Sequence, residues 1–321
     1  MKIGNVELNN RIILAPLAGY TNSSYRVIAK EMGASLVYSE MVSAKGLIFE
    51  NDKTFEYIVS KKEERPIAIQ LFGGEISDLI KATKIVTESG YADIIDINMG
   101  CPVKKVIKQG AGAYLLKDPQ KVYEMVKGVV ENTTLPVTVK IRAGWDHDSI
   151  NCIEIAKMIE KAGASAIAIH GRTKSDLYGG KVNLDYIKMV KDNVSIPVIG
   201  NGDINSIEDC IKMINYTNCD FVMVGRATLG NPWIIQDLVN YFENKPKVIV
   251  TDKMRFDMIL RHYNDLKELK NEHIALLEIR SLAVWYLKGV KNTKKYRTRI
   301  MQAKTEEEFL NIIKEIEGEV L

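Results

Sequence analysis

Cys101 closes the segment Asp96-Ile97-Asn98-Met99-Gly100-Cys101-Pro102, directly after a short apolar run. The run at 94–97 reads as a strand, Gly100 permits a sharp exit from it, and Pro102 lacks the N–H that would extend a strand or helix. A thiol held on such a turn is available for chemistry. Taken alone, a single cysteine is more often a small buried hydrophobe than a catalyst, so its meaning depends on what the chain brings to the same place.

Other chemistry-bearing residues recur in that setting. Ala15-Pro16, Glu40, Gln70, Asn98, Lys140 with Arg142, His170, Asn201 with Asp203, and Gly225-Arg226 each stand at the end of a short β-branched run. The runs lie at 12–15, 36–39, 67–71, 94–97, 137–141, 166–169, 197–199 and 221–224. Most are nearly continuous in apolar residues, as expected of parallel strands covered on both faces. Helical segments at 78–88, 121–131, 151–161, 183–191 and 206–216 separate them, and Gly90 and Gly163 supply left-handed helix ends. Eight strand-then-helix units in this span predict an α/β fold, a TIM (β/α)8 barrel. An open doubly wound sheet is the alternative, but it more often carries a glycine fingerprint after its first strand, and none follows 12–15. In such a barrel the residues that close the strands gather at one mouth, where active sites are built. That convergence argues for an enzyme.

Two glycine turns end the series, Gly200-Asn201-Gly202-Asp203 and Gly225-Arg226-Ala227. They follow the pair of strands where TIM barrels commonly cradle a phosphate with backbone donors, and Arg226 adds a charge-assisted contact. Gln70, Asn98, Lys140 and His170 form a ring of donors and acceptors suited to the polar edge of a planar heterocycle. A lysine near the electron-accepting edge of a flavin favours its reduced, anionic form. Phosphate recognition at one end and planar polar recognition at the other predict flavin mononucleotide (FMN).

These segments, together with Leu14-Ala15-Pro16-Leu17-Ala18-Gly19-Tyr20-Thr21, Val139-Lys140-Ile141-Arg142-Ala143-Gly144-Trp145 and His170-Gly171-Arg172-Thr173, resemble the tRNA-dihydrouridine synthases, most closely the bacterial B-type branch. Several motifs in order at family spacing are specific where any one would be weak. The resemblance implies an FMN enzyme that uses NADPH to reduce uridines of the tRNA D-loop to 5,6-dihydrouridine. It implies that Pro16, Leu17 and Ala18 line the flavin ring, that Gln70 hydrogen-bonds it, and that Lys140 and His170 lie at its polar edge. Asn201, Gly202, Asp203, Gly225 and Arg226 would hold the phosphate. Asn98, Arg142 and Arg172 would address the uracil or its RNA, and Cys101 would protonate C5 on the face opposite the hydride. A thiol of ordinary pKa, about 8.5, is mostly protonated at neutral pH, so Cys101 is read as an acid and not a nucleophile.

Beyond Tyr241 the strand pattern ends, and Glu243-Asn244-Lys245-Pro246-Lys247 reads as a linker. The expected organisation is a catalytic barrel over 1–242 and a small helical, tRNA-binding domain over 248–321, with helices at 251–270, 273–288, 294–302 and 305–317. Thr305 with Glu308 has the spacing of a capping box. Between 288 and 304 stand seven basic residues and no acidic one: Lys288, Lys291, Lys294, Lys295, Arg297, Arg299 and Lys304. Most charge runs are solvated faces. Beside Trp285-Tyr286, and behind a barrel whose expected substrate is a polyanion, this one is read as a contact to RNA backbone. Lys104, Lys105 and Lys108, just after Cys101, form a second basic cluster. Arg280, Trp285-Tyr286 and Lys288-Gly289 resemble the family's carboxy-terminal signature, whereas 290–295 lacks its proline and glycine. Stacking covers the reacting ring carbons, so the target base must leave its stack, with Tyr20 or Trp145 as aromatic support.

Composition sets the remaining bounds. An apolar fraction of 46% over 321 residues suffices for a full core, and an excess of three basic residues makes any basic footprint a local matter. The four cysteines lack CxxC spacing, which argues against structural zinc and a disulfide framework and fits a reducing cytoplasm. The amino terminus lacks a basic-then-apolar leader, and no run approaches the roughly 18 apolar residues of a membrane span. The expectation is a cytoplasmic protein with no metal, no membrane association and no obligate protein partner. Two other readings stand beside the synthase: a small-molecule flavin reductase such as a dihydroorotate dehydrogenase, and an RNA-binding protein with the barrel as scaffold. The first has little use for a basic tail. The second has none for an intact set of polar strand ends.

Overall fold

A computed structural model describes residues 1–49 and 52–321. The eight expected strands form β1 (Ile12–Leu14), β2 (Val37–Tyr38), β3 (Ile67–Phe72), β4 (Ile94–Met99), β5 (Val137–Arg142), β6 (Ala166–His170), β7 (Val198–Asn201) and β8 (Phe221–Val224). Each pairs in parallel with its neighbour from β2 through β8, and β8 pairs with β1. The seam between β1 and β2 is a single parallel bridge, Ile13 to Leu36, with the Leu14 N–H on the Leu36 carbonyl at 3.0 Å. The fold is therefore a nearly closed TIM barrel with helices outside.

Those helices are α1 (Ser23–Glu31), α2 (Ile76–Ser89), α3 (Pro119–Val130), α4 (Cys152–Lys161), α5 (Leu184–Lys191), α6 (Ile207–Thr217) and α7 (Trp233–Phe242). Local chemistry sets their ends. Asp118 accepts from the Lys121 N–H with Pro119 in the first turn, Ser206 accepts from the Asp209 N–H, and Gly90 terminates α2 in the left-handed region.

Strand side chains alternate between two faces, and both faces are buried. Ile12, Leu14, Ile67, Ile69, Ile95, Ile97, Val139 and Ile141 belong to the layer between strands and helices. Ile13, Ala68, Ile94, Ala166, Ala168, Ile199, Phe221 and Met223 fill the barrel interior, together with Ile3 and Leu8 from the amino-terminal segment that carries the hairpin Lys2–Ile3 and Val6–Glu7. The inward parity continues upward through Gln70, Asn98, Lys140, His170 and Asn201, which is why these polar side chains meet at the mouth.

After α7 the chain forms α8 (Asp252–Leu269), α9 (Glu272–Tyr286), α10 (Arg297–Gln302) and α11 (Glu306–Val320). Thr251, Asn271 and Thr305 cap three of them through the N–H groups of Met254, Ile274 and Glu308. The capping box is only half formed: the Glu308 carboxylate accepts from the Lys304 N–H at 2.8 Å, one residue before the position the box requires. No described helix is long and apolar enough to cross a membrane.

The carboxy-terminal helices pack on the barrel. Their cluster of Phe256, Ile259, Tyr263, Ile279, Tyr286 and Phe309 is continuous with Ile28 of α1 and Trp233 of α7. Arg261 makes a two-pronged contact to Glu31 of α1 at 2.5 and 2.7 Å. At Gly230, in the left-handed region, a Cβ would lie 2.2 Å from the Trp285 carbonyl carbon, so only glycine lets α9 approach. Ile28→Ala, which opens a cavity in this fully buried junction, is expected to cost about 2 to 5 kcal/mol of folding stability in denaturant titrations.

Candidate active site

A cavity opens at the carboxyl ends of the strands. Its wall includes Pro16, Leu17 and Ala18 after β1, Gln70 of β3, Asn98 and Cys101 at the end of β4, and Lys140 and Arg142 of β5. His170 of β6, Asn201, Gly202 and Asp203 after β7, and Gly225 and Arg226 after β8 complete it. Residues far apart in the chain thus share one space because each closes a strand of the same barrel.

The Cys101 turn wraps around an amide. Asn98 Oδ1 accepts from the N–H groups of Gly100 at 3.2 Å and Cys101 at 2.9 Å. Asn98 Nδ2 donates to Gln70 Oε1 at 2.8 Å, and Gln70 Nε2 donates to Asp96 Oδ2 at 2.7 Å. Asp96, fully buried, also accepts from Thr138 Oγ1 at 2.6 Å. Desolvation pushes its carboxyl up to about 7 against the pull of Thr138, Gln70 and Lys140. Burial likewise pushes the Cys101 thiol above its ordinary value, opposed by the Val103 backbone, Arg142 and Lys140. The result is a thiol that stays protonated at neutral pH in cationic surroundings, and so is a poor nucleophile.

Arg142 spends Nε and Nη1 on the carbonyls of Gly100, Thr173 and Leu177, at 2.9, 2.7 and 2.8 Å, which leaves Nη2 for the cavity. Lys140 Nζ donates to Asn201 Oδ1 at 3.0 Å, and burial, reinforced by Arg142, pushes its ammonium down to about 8. Burial, with Lys140, Arg142, Arg172 and Arg226 around it, holds His170 far below its ordinary pKa, so its ring is neutral. Arg172 Nη1 lies 3.3 Å from His170 Nε2. Since a guanidinium only donates, Nε2 is the acceptor and the ring proton sits on Nδ1.

The glycine turns form the opposite end of the cavity. At Gly202, whose φ is +128°, a Cβ would stand 2.6 Å from Val182 Cγ2 and 2.9 Å from His170 Cδ2. Among the described residues, the backbone N–H groups of Gly202, Asp203 and Gly225 donate to no protein acceptor. Together with the half-exposed Arg226, they form a concavity suited to an anion.

Two sequence assignments change. Arg172, expected at the uracil or RNA, is buried and does not line the cavity. Its donors go to Asp203 Oδ1 and Oδ2 at 2.9 and 2.6 Å, to the carbonyls of Gly179 and Gly180, and to His170. It holds loops together and has no N–H left for a substrate. The Asp203 carboxylate, taken by Arg172, Arg226 and the Val182 N–H, is likewise committed, which leaves its backbone to face an anion.

Neither aromatic proposed as a base support lines the cavity. Tyr20 packs against the carboxy-terminal cluster, and Trp145 carries the ammonium groups of Lys117 and Lys174 over its ring at 3.8 and 4.2 Å. The aromatic at the mouth is Tyr178, more than half exposed, with Arg142 and Arg226 at 5.5 and 5.2 Å from its ring. It sits in a loop that carries no strand-end signal, whereas Met41, also on the wall, directly follows the strand end Glu40 but is apolar and so drew no notice. Glu40, a strand end, accepts from the Gly19 N–H and steadies the loop after β1.

The basic residues also divide. Lys104, Lys105, Lys288, Lys291, Lys294 and Arg297 are exposed. Lys295 and Arg299 instead pair with Glu319 and Glu315 of α11 at 2.8 and 2.7 Å. The run is acid-free in sequence but not in space.

Comparison with known proteins gives the family. The family described as Dihydrouridine synthase (Dus) matches residues 13–320. A tRNA-dihydrouridine synthase B of Pasteurella multocida is 40% identical over 299 residues, covering 92% of this chain and 90% of that protein. One from Pseudomonas aeruginosa is 38% identical over 302 residues, covering 93% and 90%. Among solved structures, histamine dehydrogenase from Rhizobium sp. 4-9 superposes with a TM-score of 0.55 at 14% identity. That match covers 81% of this chain and 50% of the dehydrogenase, a likeness of fold alone.

Two outcomes follow from the buried acids. Asp96 titrates near 7 when folded but near 3.8 when unfolded. Between those values the folded protein keeps a proton that the unfolded chain has lost, so stability falls as pH rises across the window. Asp96→Asn should flatten that fall by about 1.4 kcal/mol per pH unit in denaturant titrations. Alkylation of Cys101 by iodoacetamide should show its inflection above the ordinary thiol value of about 8.5.

Proposed function

The chain belongs to the dihydrouridine synthase family, and from that premise we propose that it reduces the C5=C6 bond of uridines in the D-loop of tRNA, with FMN as bound cofactor and NADPH as reductant. The observation that carries this reading is a single cavity lined by both a protonated thiol and an anion-binding turn. The residues present suit FMN. Lys140, Arg142 and Arg226 line the cavity, and Asp203, the one lining carboxylate among the described residues, is already neutralised by Arg172. Free backbone N–H groups at Gly202, Asp203 and Gly225, with Arg226, would take the phosphate. Pro16, Leu17, Ala18 and Gln70 would contact the ring, with Lys140 and neutral His170 at its polar edge.

FMN held by these residues would, when reduced, supply the hydride for C6 of the uracil. Cys101 Sγ gives its proton to C5, where the electron pair of the C5=C6 bond forms the new C–H bond. Arg142 and Lys140 lower the cost of the thiolate left behind, which regains a proton from water. Asn98 and the free Nη2 of Arg142 would orient the base. Outside the cavity, Lys104, Lys105, Lys108, Lys117 and Lys174 on the barrel rim, and Lys288, Lys291, Lys294 and Arg297 in the helical region 248–321, would contact phosphates. Lys295 and Arg299 would join them only by releasing their glutamates, a small cost for exposed pairs.

Incubation of unmodified tRNA with the protein, FMN and NADPH should yield dihydrouridine by nucleoside mass spectrometry. Bound flavin and NADPH consumption without dihydrouridine would instead indicate a small-molecule flavin reductase. Replacing Lys291, Lys294 and Arg297 together by alanine should lower the slope of log affinity for tRNA against log salt by about 2 to 3.

A further inference from the structure

Asp96 has no task in the reaction as derived so far, yet it is a fully buried carboxylate directly beneath the cavity. Its neighbours in register are Gln70 on β3 and Thr138 on β5, and it accepts a hydrogen bond from each. From Gln70 the chain of bonds runs on to Asn98 and ends at the N–H groups of Gly100 and Cys101.

The two ends of this chain have opposite and fixed character. Both Asp96 oxygens accept, Oδ2 from Gln70 and Oδ1 from Thr138, and a backbone N–H only donates. With an acceptor at one end and donors at the other, both intervening amides have a single orientation. Gln70 must turn Nε2 to Asp96 and Oε1 to Asn98. Asn98 must turn Nδ2 to Gln70 and Oδ1 to the Cys101 turn. Asn98 Oδ1 is then used twice, and each amide nitrogen keeps one unspent hydrogen. Both side chains line the cavity, so what Asn98 offers a ligand is a donor.

We propose that Asp96 is a positioning residue for uridine reduction: acting through Gln70, it locks Asn98 with an Nδ2–H toward the cavity, as donor to the C4 carbonyl of the uracil. The inference rests on the functional reading above. Addition of hydride at C6 moves the C5=C6 electron pair toward C5 and, by conjugation, onto O4, where an N–H donor stabilises it. The C4 carbonyl adjoins C5, the carbon that Cys101 protonates, and Asn98 adjoins Cys101 in the same turn. Cytosine carries an amino group at C4, which would set donor against donor.

The test compares Asp96→Ala and Asp96→Asn. An asparagine can still accept from Gln70 and preserve the polarity, whereas an alanine leaves Gln70 Nε2 unpaired and Asn98 held from the Cys101 turn alone. FMN affinity by fluorescence quenching and kcat for tRNA uridine should each fall by at least about tenfold in D96A, the scale of one unpaired buried donor. Both should return to within about threefold of wild type in D96N. If D96A does not fold, Gln70→Met removes the link while leaving both ends, and the same losses are expected. Wild-type kcat in D96A or Q70M, or a D96N as impaired as D96A, would overturn the proposal. Should the wild type itself make no dihydrouridine, the functional reading fails separately. The FMN titration then decides the role of Asp96, and unchanged affinity in D96A would reject it.

Discussion

Side chains alternate along a strand, and in a closed barrel that alternation decides everything above it. One parity must be aliphatic, because it is pressed between strands and helices; Ile67, Ile69, Ile95, Ile97, Val139 and Ile141 obey this without exception. The other parity faces a narrow interior. Its lower layer is small or apolar, with Ala68, Ile94, Ala166 and Ala168, and its upper layer is polar. A strand shifted by one residue would exchange the two sets, burying Gln70 or Lys140 among helices and sending aliphatics into the cavity. The positions of the site residues and the stability of the fold are therefore one constraint and not two.

Polar residues at the top of such a barrel must satisfy one another, and the electrostatics of the site follow from how they do so. Burial, with Lys140, Arg142, Arg172 and Arg226 around it, keeps the His170 ring neutral. Asp203 neutralises Arg172, so the remaining cations face the cavity. Burial outweighs those cations at Cys101 and keeps its thiol protonated. An anion-seeking cavity that nonetheless holds a proton on sulfur suits the reduction proposed for it. The helices α8–α11 are fastened to the same frame through Ile28, Trp233 and Arg261, so whatever they bind is held in register with the mouth.

Much of this was legible in the chain because strand ends are local signals. A β-branched run followed by Gln70, Lys140 or His170 announces both the strand and the residue that closes it, and all eight runs became strands. What escaped was non-local. Arg172, which the resemblance assigned to the uracil or its RNA, has its donors consumed by Asp203 and the carbonyls of Gly179 and Gly180. Lys295 and Arg299 look free until α11 folds back with Glu315 and Glu319. Tyr178 reaches the mouth on a loop whose path depends on Arg142 and Arg172, and no pattern of period two or 3.6 marks it. Asp96 lay within the most informative motif, but its importance comes from the register that sets Gln70 and Thr138 beside it.

The most direct measurement separates the two halves of the reaction in Cys101→Ala. Reduction of bound flavin by NADPH is followed by its absorbance, and reoxidation of the reduced enzyme is then followed on mixing with unmodified tRNA. The expected result is an unchanged first half and a second half slowed by orders of magnitude, because the hydride source remains and the proton source is gone. Reoxidation by tRNA at the wild-type rate, with dihydrouridine formed, would contradict the assignment of Cys101 as the proton donor.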